Sequence, residues 1–203
     1  DSEEMLGLLT GNGHEIVDSE EEADAIVINT CCFIHDAKEE SVNTILEMAE
    51  YKKTGTCKIL IVTGCMAQRY KEEITEEIPE VDAVLGTTSY GDIVKALNEA
   101  EAGHVFREFK DINALPEDSG RRVITTGGHF GYLKIAEGCD KHCTYCIIPS
   151  LRGKFRSVPE ERLLKQAEYM ASQGVRELIL VAQETTVYGT DLYGKKTLHL
   201  LLS

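Results

Sequence analysis

The sequence has no apolar run long enough to cross a lipid bilayer. A membrane-spanning helix needs about 20 consecutive apolar residues, whereas the longest runs here, such as residues 59–62 and 178–182, are far shorter. Internal repeats and low-complexity tracts are also absent. The chain has 203 residues, 42% of them hydrophobic and 28% charged, which is ordinary for a globular protein of one large domain or two small ones. Membrane-spanning, disordered and fibrous classes are therefore disfavoured.

Basic residues are scarce. The chain has 21 Lys and Arg against 35 Asp and Glu, which gives a net charge of −14. The imbalance is greatest in residues 1–60, which contain fourteen acidic residues and four lysines. Such a stretch repels nucleic acid, so any RNA contact is expected elsewhere, for instance at Arg152, Lys154 and Arg156.

Cysteine is the main chemical feature of the sequence. The seven cysteines stand at positions 31, 32, 57, 65, 139, 143 and 146. Their number is odd and no signal-peptide pattern is visible at the start, so a disulfide framework is a poor interpretation. Metal or redox chemistry fits better, and we expect a cytoplasmic protein that makes no membrane contact.

Strand and helix patterns alternate in the first hundred residues. Strands are predicted at residues 15–17, 25–29, 58–63 and 82–85. Helices are predicted at residues 3–9, 36–53, 68–78 and 89–102. This alternation is typical of an α/β domain with a parallel sheet and covering helices.

The composition changes in residues 107–130, which contain Pro116, Gly127 and Gly128 and are predicted to be a linker. We therefore expect a first domain over 1–106 and a second over 131–203. In the second domain the pattern predicts a strand at 132–136, a helix at 159–172 and a strand at 177–182, which together make one βαβ unit.

The strongest motif follows the first strand of that second unit. Cys139, Cys143 and Cys146 have the spacing C-x3-C-x2-C within one loop. Thiolates suit zinc or iron–sulfur clusters, but a closed structural zinc site needs four ligands and this loop supplies three. A four-iron cluster held by three cysteines, with one iron left open, is the favoured interpretation. A zinc site completed by a distant residue and three unliganded thiols remain the alternatives.

The loop resembles that of the radical S-adenosylmethionine (SAM) superfamily. Upstream, Asn29-Thr30-Cys31 and Gly64-Cys65-Met66-Ala67 each place a cysteine after a predicted strand, and this combination resembles the radical SAM methylthiotransferases. The resemblance implies an N-terminal parallel-sheet methylthiotransferase domain followed by the start of a radical SAM partial (β/α) barrel. It also implies SAM and two [4Fe-4S] clusters, one on Cys139, Cys143 and Cys146 and an auxiliary one held in part by Cys31 and Cys65.

One branch of this family modifies an aspartate β-carbon in small-subunit ribosomal protein twelve, and the other modifies an adenosine in tRNA. Ser150-Leu151 and an acidic residue after Gln183 resemble the ribosomal-protein branch, which implies a ribosomal protein or the ribosome as partner. The resemblance also implies an electron donor such as flavodoxin or ferredoxin. The tRNA enzyme is one alternative. A non-catalytic zinc-binding module is an alternative of another class.

Further residues are candidates for SAM binding. By their position in the family's pattern, Tyr145, Gln183, Glu184 and Arg156 are expected to contact SAM, and no catalytic residue is assigned beyond the cluster ligands. The third auxiliary cysteine of the family would lie upstream of Asp1, so we expect the chain to be an inactive fragment. Cys32 is expected to be a core or spare thiol.

A last expectation concerns Cys57. This cysteine follows a predicted turn and matches no motif position, so it is expected to be a surface or edge residue.

Overall fold

The computed structural model describes residues 1–117 and 120–203, and its contacts divide the chain into two compact units, Asp1–Arg121 and Arg122–Ser203. Residues 118 and 119, which belong to the predicted linker 107–130, lie outside the described residues. The domain bounds 1–106 and 131–203 stay a prediction. None of the helices in the described ranges is long and apolar enough to cross a membrane.

The first unit is built on a four-stranded parallel sheet with the order β1-β2-β3-β4. Its strands are β1 Ala25–Thr30, β2 Ile59–Gly64, β3 Ala83–Leu85 and β4 Phe106–Glu108. Its helices are α1 Ser2–Gly11, α2 His35–Thr54, α3 Cys65–Tyr70, α4 Glu72–Glu77 and α5 Ile93–Glu101, with 3-10 turns at Glu20–Glu22 and Tyr90–Asp92. The predicted α/β class with a parallel sheet is confirmed.

The core of this unit follows the two-residue alternation of its strands. Ile59 and Ile61 of β2 pack with Ala83 and Leu85 of β3, and α1 and α5 cover this cluster. The intervening residues Leu60, Val62 and Val84 are also fully buried. Because successive side chains point to opposite faces of a strand, β2 and β3 are covered on both faces, as their continuous apolar runs predict.

Several details of the first unit differ from the sequence prediction, among them strand β4, which was not predicted. Residues 15–17 form no strand, and Ile16 and Val17 are exposed. The helix predicted over 68–78 is two helices, α3 and α4, because Lys71 between them has a positive φ of 42°. Cys57 is buried rather than at the surface, with 4% of its area exposed.

The second unit contains the predicted βαβ arrangement. Strands β5 Phe130–Lys134 and β8 Glu177–Val181 pair in parallel, and helix α7 Glu160–Ser172 lies between them in the chain and packs on β5. Two short strands, β6 Ala136–Glu137 and β7 Arg156–Ser157, pair antiparallel and were not predicted. The remaining helices are α6 Ile148–Arg152, α8 Thr190–Tyr193 and α9 Leu198–Leu201.

The turn between β2 and α3 gives a stability prediction. Gly64 has φ 95°, and a Cβ at this position would lie under 3.0 Å from the backbone of Thr30 in the paired strand. Gly64→Ala is therefore expected to lower the free energy of unfolding by about 2 kcal/mol or more. Urea unfolding followed by circular dichroism measures this loss.

The control is Gly91→Ala in the turn before α5. A Cβ at Gly91 would meet no atom within 4 Å, so this variant should unfold at the same urea concentration as the parent chain. Equal stability of the two variants would contradict the close approach of Gly64 to β1.

Candidate metal centre

The loop that contains the three cysteines connects strands β6 and β7, which pair antiparallel. Glu137 pairs with Arg156 and Ala136 pairs with Ser157, so strands β6 and β7 close the base of the segment between them. Just above this base, the Cys139 amide donates to the Gly153 carbonyl at 3.1 Å, and the Phe155 amide donates to the Asp140 carboxylate at 3.1 Å. The first residues of the loop are therefore fixed to the returning strand.

Gly138 is needed for this close approach. Its φ is +74°, and a Cβ here would collide with the carbonyl oxygens of Gly153 and Lys154. Only glycine adopts this conformation without strain. The residue before Cys139 is thus set by backbone contact as well as by sequence motif.

A buried carboxylate stands at the base of the loop. Glu137 is 2% exposed and forms ion pairs with Lys134 and Arg152. Burial opposes ionisation of Glu137, but the two cations outweigh that effect and hold its pKa below the usual value. The charged state of Glu137 keeps both cations at the start of the loop.

The three loop cysteines differ in exposure. Cys139 is buried, Cys146 is partly exposed and Cys143 is exposed. The Cys146 amide donates to the Cys143 carbonyl at 3.0 Å, which forms a turn between the last two thiols. None of the three is in a disulfide.

These thiols are a donor set that suits an iron–sulfur cluster, since they are free, close in sequence and soft. They are not gathered around one point: among residues 1–117 and 120–203, no three His, Cys, Asp or Glu side chains are placed to hold a metal ion. Metal sites often reach their final geometry only when the metal binds. The donor chemistry of the three thiols therefore fits an iron–sulfur cluster. In the described residues, however, the thiols are not yet arranged to bind one.

Of the four residues predicted to bind SAM, three make other contacts in this structure and Tyr145 is exposed. Tyr145 is 88% exposed. Arg156 donates to the backbone carbonyls of Arg152 and Lys154. Gln183 accepts a hydrogen bond from the Gly138 amide at 2.7 Å, and Glu184 forms an ion pair with Lys141. The SAM contacts of these residues stay a prediction.

Glu184 is a second carboxylate near the loop with a lowered pKa. Hydrogen bonding to Lys141, and then to Thr186, lowers its pKa to about 2. Lys141 was not among the predicted site residues, because nothing local marks it and its partner Glu184 is distant in the chain. Asp140 was also missed, although an aspartate in a turn often accepts hydrogen bonds from nearby backbone amides.

The residues after β8 are hydrogen-bonded to strand β7 and to the residue that follows it. The Asp191 carboxylate accepts hydrogen bonds from the Ser157 amide and hydroxyl, at 2.8 and 2.6 Å. The Tyr188 hydroxyl is buried and donates to the Val158 carbonyl at 2.9 Å. These bonds tie the segment that carries Gln183 and Glu184 to the strand that closes the cysteine loop.

The first unit places a second group of thiols at one sheet edge. Thr30 pairs with Gly64, so Cys31 and Cys65 follow neighbouring parallel strands at the same edge. Ser41 of α2 bonds both the amide and the carbonyl of Cys31, at 3.0 and 2.9 Å. In the sequence each of these cysteines follows a predicted strand, and the register places both at one edge of the sheet.

Cys32 differs from its two neighbours in being buried. Its thiol donates to the Cys65 carbonyl at 3.2 Å. Burial, and then the nearby Cys65, raise the pKa of the Cys32 thiol, which favours the neutral form. Because a metal ligand must be a thiolate, Cys32 is less suited than Cys31 or Cys65 to bind a cluster.

Two family models match the chain. Residues 1–86 match the uncharacterized protein family UPF0004, and residues 133–201 match the radical SAM superfamily. The second match contains the three loop cysteines and the first contains Cys31 and Cys65. A radical SAM protein with this N-terminal domain is thus the class that the fold and the cysteine loop define.

Curated relatives match along the whole chain. A protein of Lachnoclostridium phytofermentans named "Ribosomal protein uS12 methylthiotransferase RimO" is 64% identical over 202 residues, which is 100% of this chain and 46% of that protein. Proteins of the same name from Clostridioides difficile and Acetivibrio thermocellus are 51% and 50% identical, over 100% and 98% of this chain and 46% and 45% of their own lengths. The chain is similar to these RimO relatives along almost its entire length, and it spans about half of theirs.

The buried Tyr188 gives a prediction for alkaline pH. Burial raises the pKa of Tyr188 to about 12, whereas the pKa of a tyrosine in an unfolded chain is about 10. The folded state thus holds the proton more tightly, so the stabilisation is complete below about pH 10 and is lost as the pH rises towards about 12. Urea unfolding at a series of pH values above 9 should show this decline, and Tyr188→Phe should reduce it.

Tyr145→Phe is the matched control, because Tyr145 is 88% exposed. This variant should keep the full decline in stability of the parent chain. Lysines and other tyrosines titrate equally in both variants, so a difference between the two variants is due to Tyr188. A Tyr188→Phe variant with the same pH dependence as the parent would contradict the assignment.

Proposed function

We propose that this chain is part of a radical SAM methylthiotransferase that modifies an aspartate β-carbon in small-subunit ribosomal protein uS12. The observation that carries the proposal is the cysteine loop above the β6–β7 ladder, in a chain that aligns over its full length with proteins named as uS12 methylthiotransferases. The matched radical SAM model supports SAM and iron–sulfur chemistry in general.

Cys139, Cys143 and Cys146 would hold the radical SAM cluster. When bound, such a cluster supplies the electron that cleaves SAM, and its open iron binds the cofactor. The role of this chain is to hold the start of the loop in a fixed position. The buried ion pairs of Glu137 and the fixed start of the loop at Gly138 support that role.

Cys31 and Cys65 would hold part of an auxiliary cluster, which makes two [4Fe-4S] clusters in the longer protein. The parallel register that brings them to one edge supports this assignment, because open parallel sheets bind ligands at the carboxyl ends of their strands. The raised pKa of Cys32 favours Cys31 over its neighbour as the ligand.

The charge of the chain supports a protein substrate. Its net charge of −14 complements a basic ribosomal protein more readily than it does tRNA. A cytoplasmic location would follow from such a substrate, and a small redox protein such as flavodoxin or ferredoxin would supply electrons.

The first test is metal content. The purified chain is reconstituted anaerobically with iron and sulfide, and iron, sulfide and zinc are quantified per chain. We expect Cys143→Ala to lose about four irons relative to the parent, since one open cubane depends on its three thiolates. Cys57→Ala is the control: this buried cysteine lies at no predicted site and its removal should leave iron uptake unchanged.

Zinc bound at one ion per chain, with no iron uptake, would overturn the proposal in favour of a structural zinc module. Equal loss of iron in Cys143→Ala and Cys57→Ala would show that the iron is bound without the loop.

The substrate is tested in a protein of full length. The matching segment of the Lachnoclostridium phytofermentans relative is replaced by this chain, which is possible because the two align over 202 residues. With SAM, sulfide and a reductant, mass spectrometry should show one methylthio group on ribosomal protein uS12 and none on tRNA. Modification of tRNA alone would identify the other branch of the family.

A further inference from the structure

Two consecutive side chains after β8 hold the cysteine loop at two points. The Gln183 side-chain oxygen accepts a hydrogen bond from the Gly138 amide at 2.7 Å. The Glu184 carboxylate forms an ion pair with the Lys141 ammonium. Gly138 and Lys141 lie on either side of Cys139, so the two contacts bracket the first cluster ligand.

The two oxygens of Glu184 have separate partners. Oε1 accepts hydrogen bonds from the Thr186 amide and hydroxyl, the first at 3.0 Å. Oε2 pairs with the Lys141 ammonium. Thr186 thus fixes the carboxylate on its own segment, so that forming the ion pair does not require a free Glu184 side chain to be ordered.

The two partners of the ion pair differ in exposure. The Glu184 side chain is 12% exposed and the Lys141 side chain is 61% exposed. The carboxylate is therefore the fixed partner, and the lysine brings the loop to it. Further along the loop, Cys143 and Tyr145 are exposed. The restraint acts on the half of the loop that contains Cys139.

We propose that Glu184 is a positioning residue that holds the cysteine loop through Lys141, rather than a residue whose first role is to contact SAM. The proposal rests on the proposed function, since it concerns the loop that would carry the radical SAM cluster. Gln183 fixes the start of the same loop, and Thr186 orients Glu184. The segment after β8 sets the position of Cys139 before any cluster is bound.

The first experiment needs no cluster. Trypsin cleaves after lysine, so the rate of cleavage between Lys141 and His142 in the metal-free chain reports how firmly the loop is held. Glu184→Gln keeps the shape of the side chain and removes its charge. We expect cleavage at Lys141 to be about threefold faster in this variant. Cleavage at Lys195, which is exposed and remote from the pair in sequence, should be unchanged.

The second experiment measures the bound cluster. After reconstitution, the rate at which a chelator removes iron is followed by absorbance. Glu184→Gln and Lys141→Glu should each lose iron about threefold faster than the parent chain, since either change breaks the pair. The double variant Lys141→Glu/Glu184→Lys restores opposite charges and should recover the slower rate.

Matched control variants come from α7, where Glu168 and Lys165 are exposed. Glu168→Gln and Lys165→Glu change charge by the same amounts and should leave both rates at the parent values. Lys141→Arg keeps the positive charge and should also behave as the parent in both experiments.

Unchanged cleavage at Lys141 in Glu184→Gln would overturn the positioning role. So would failure of the charge-swapped double variant to recover slow iron loss. Weakened SAM binding by Glu184→Gln, with unchanged cleavage and iron loss, would establish the direct SAM contact instead. Absence of iron in the parent chain would overturn the proposed function and leave the proteolysis result to decide on the ion pair alone.

Discussion

Parallel strand pairing is the constraint on which both candidate sites depend. In the first unit, the pairing of Thr30 with Gly64 puts the residues that follow β1 and β2 at the same edge of the sheet. In the second unit, Lys134 pairs with Val181, so the chain leaving β5 and the chain leaving β8 also emerge together. Parallel strands cannot be joined by a tight turn. The chemistry at each edge therefore comes from segments far apart in sequence.

The cysteine loop has two halves with different physical properties. Around Cys139 the backbone bonds to Gly153, and Gly138 lies too close to the returning strand to accept a side chain. Around Cys143 the chain is exposed. In a loop with one buried, one partly exposed and one exposed thiol, folding supplies part of the ordering and binding of the cluster supplies the rest. That division reconciles a suitable donor set with thiols that are not yet gathered.

The sequence predicts features whose cause is local. Strand β2 is a continuous apolar run because both of its faces are buried, and the cysteine spacing is visible within eight residues. Features that depend on distant contacts were missed. Strand β4 is short, contains Arg107 and Glu108, and exists because it pairs with β3. The ion pair of Lys141 with Glu184 joins the cysteine loop to the segment after β8, and no local pattern in the sequence marks such a pair.

The buried charge of Glu137 explains why the base of the loop has one conformation. Moving a carboxylate out of water is expensive, and its attraction to Lys134 and Arg152 does little more than offset that cost. Removal of one partner of these ion pairs costs more, about 3–5 kcal/mol, because it leaves a charge buried without compensation. Alternative arrangements of β6 and β7 would break these pairs. The ion pairs therefore contribute less to overall stability than to keeping Glu137, and with it the start of the cysteine loop, in place.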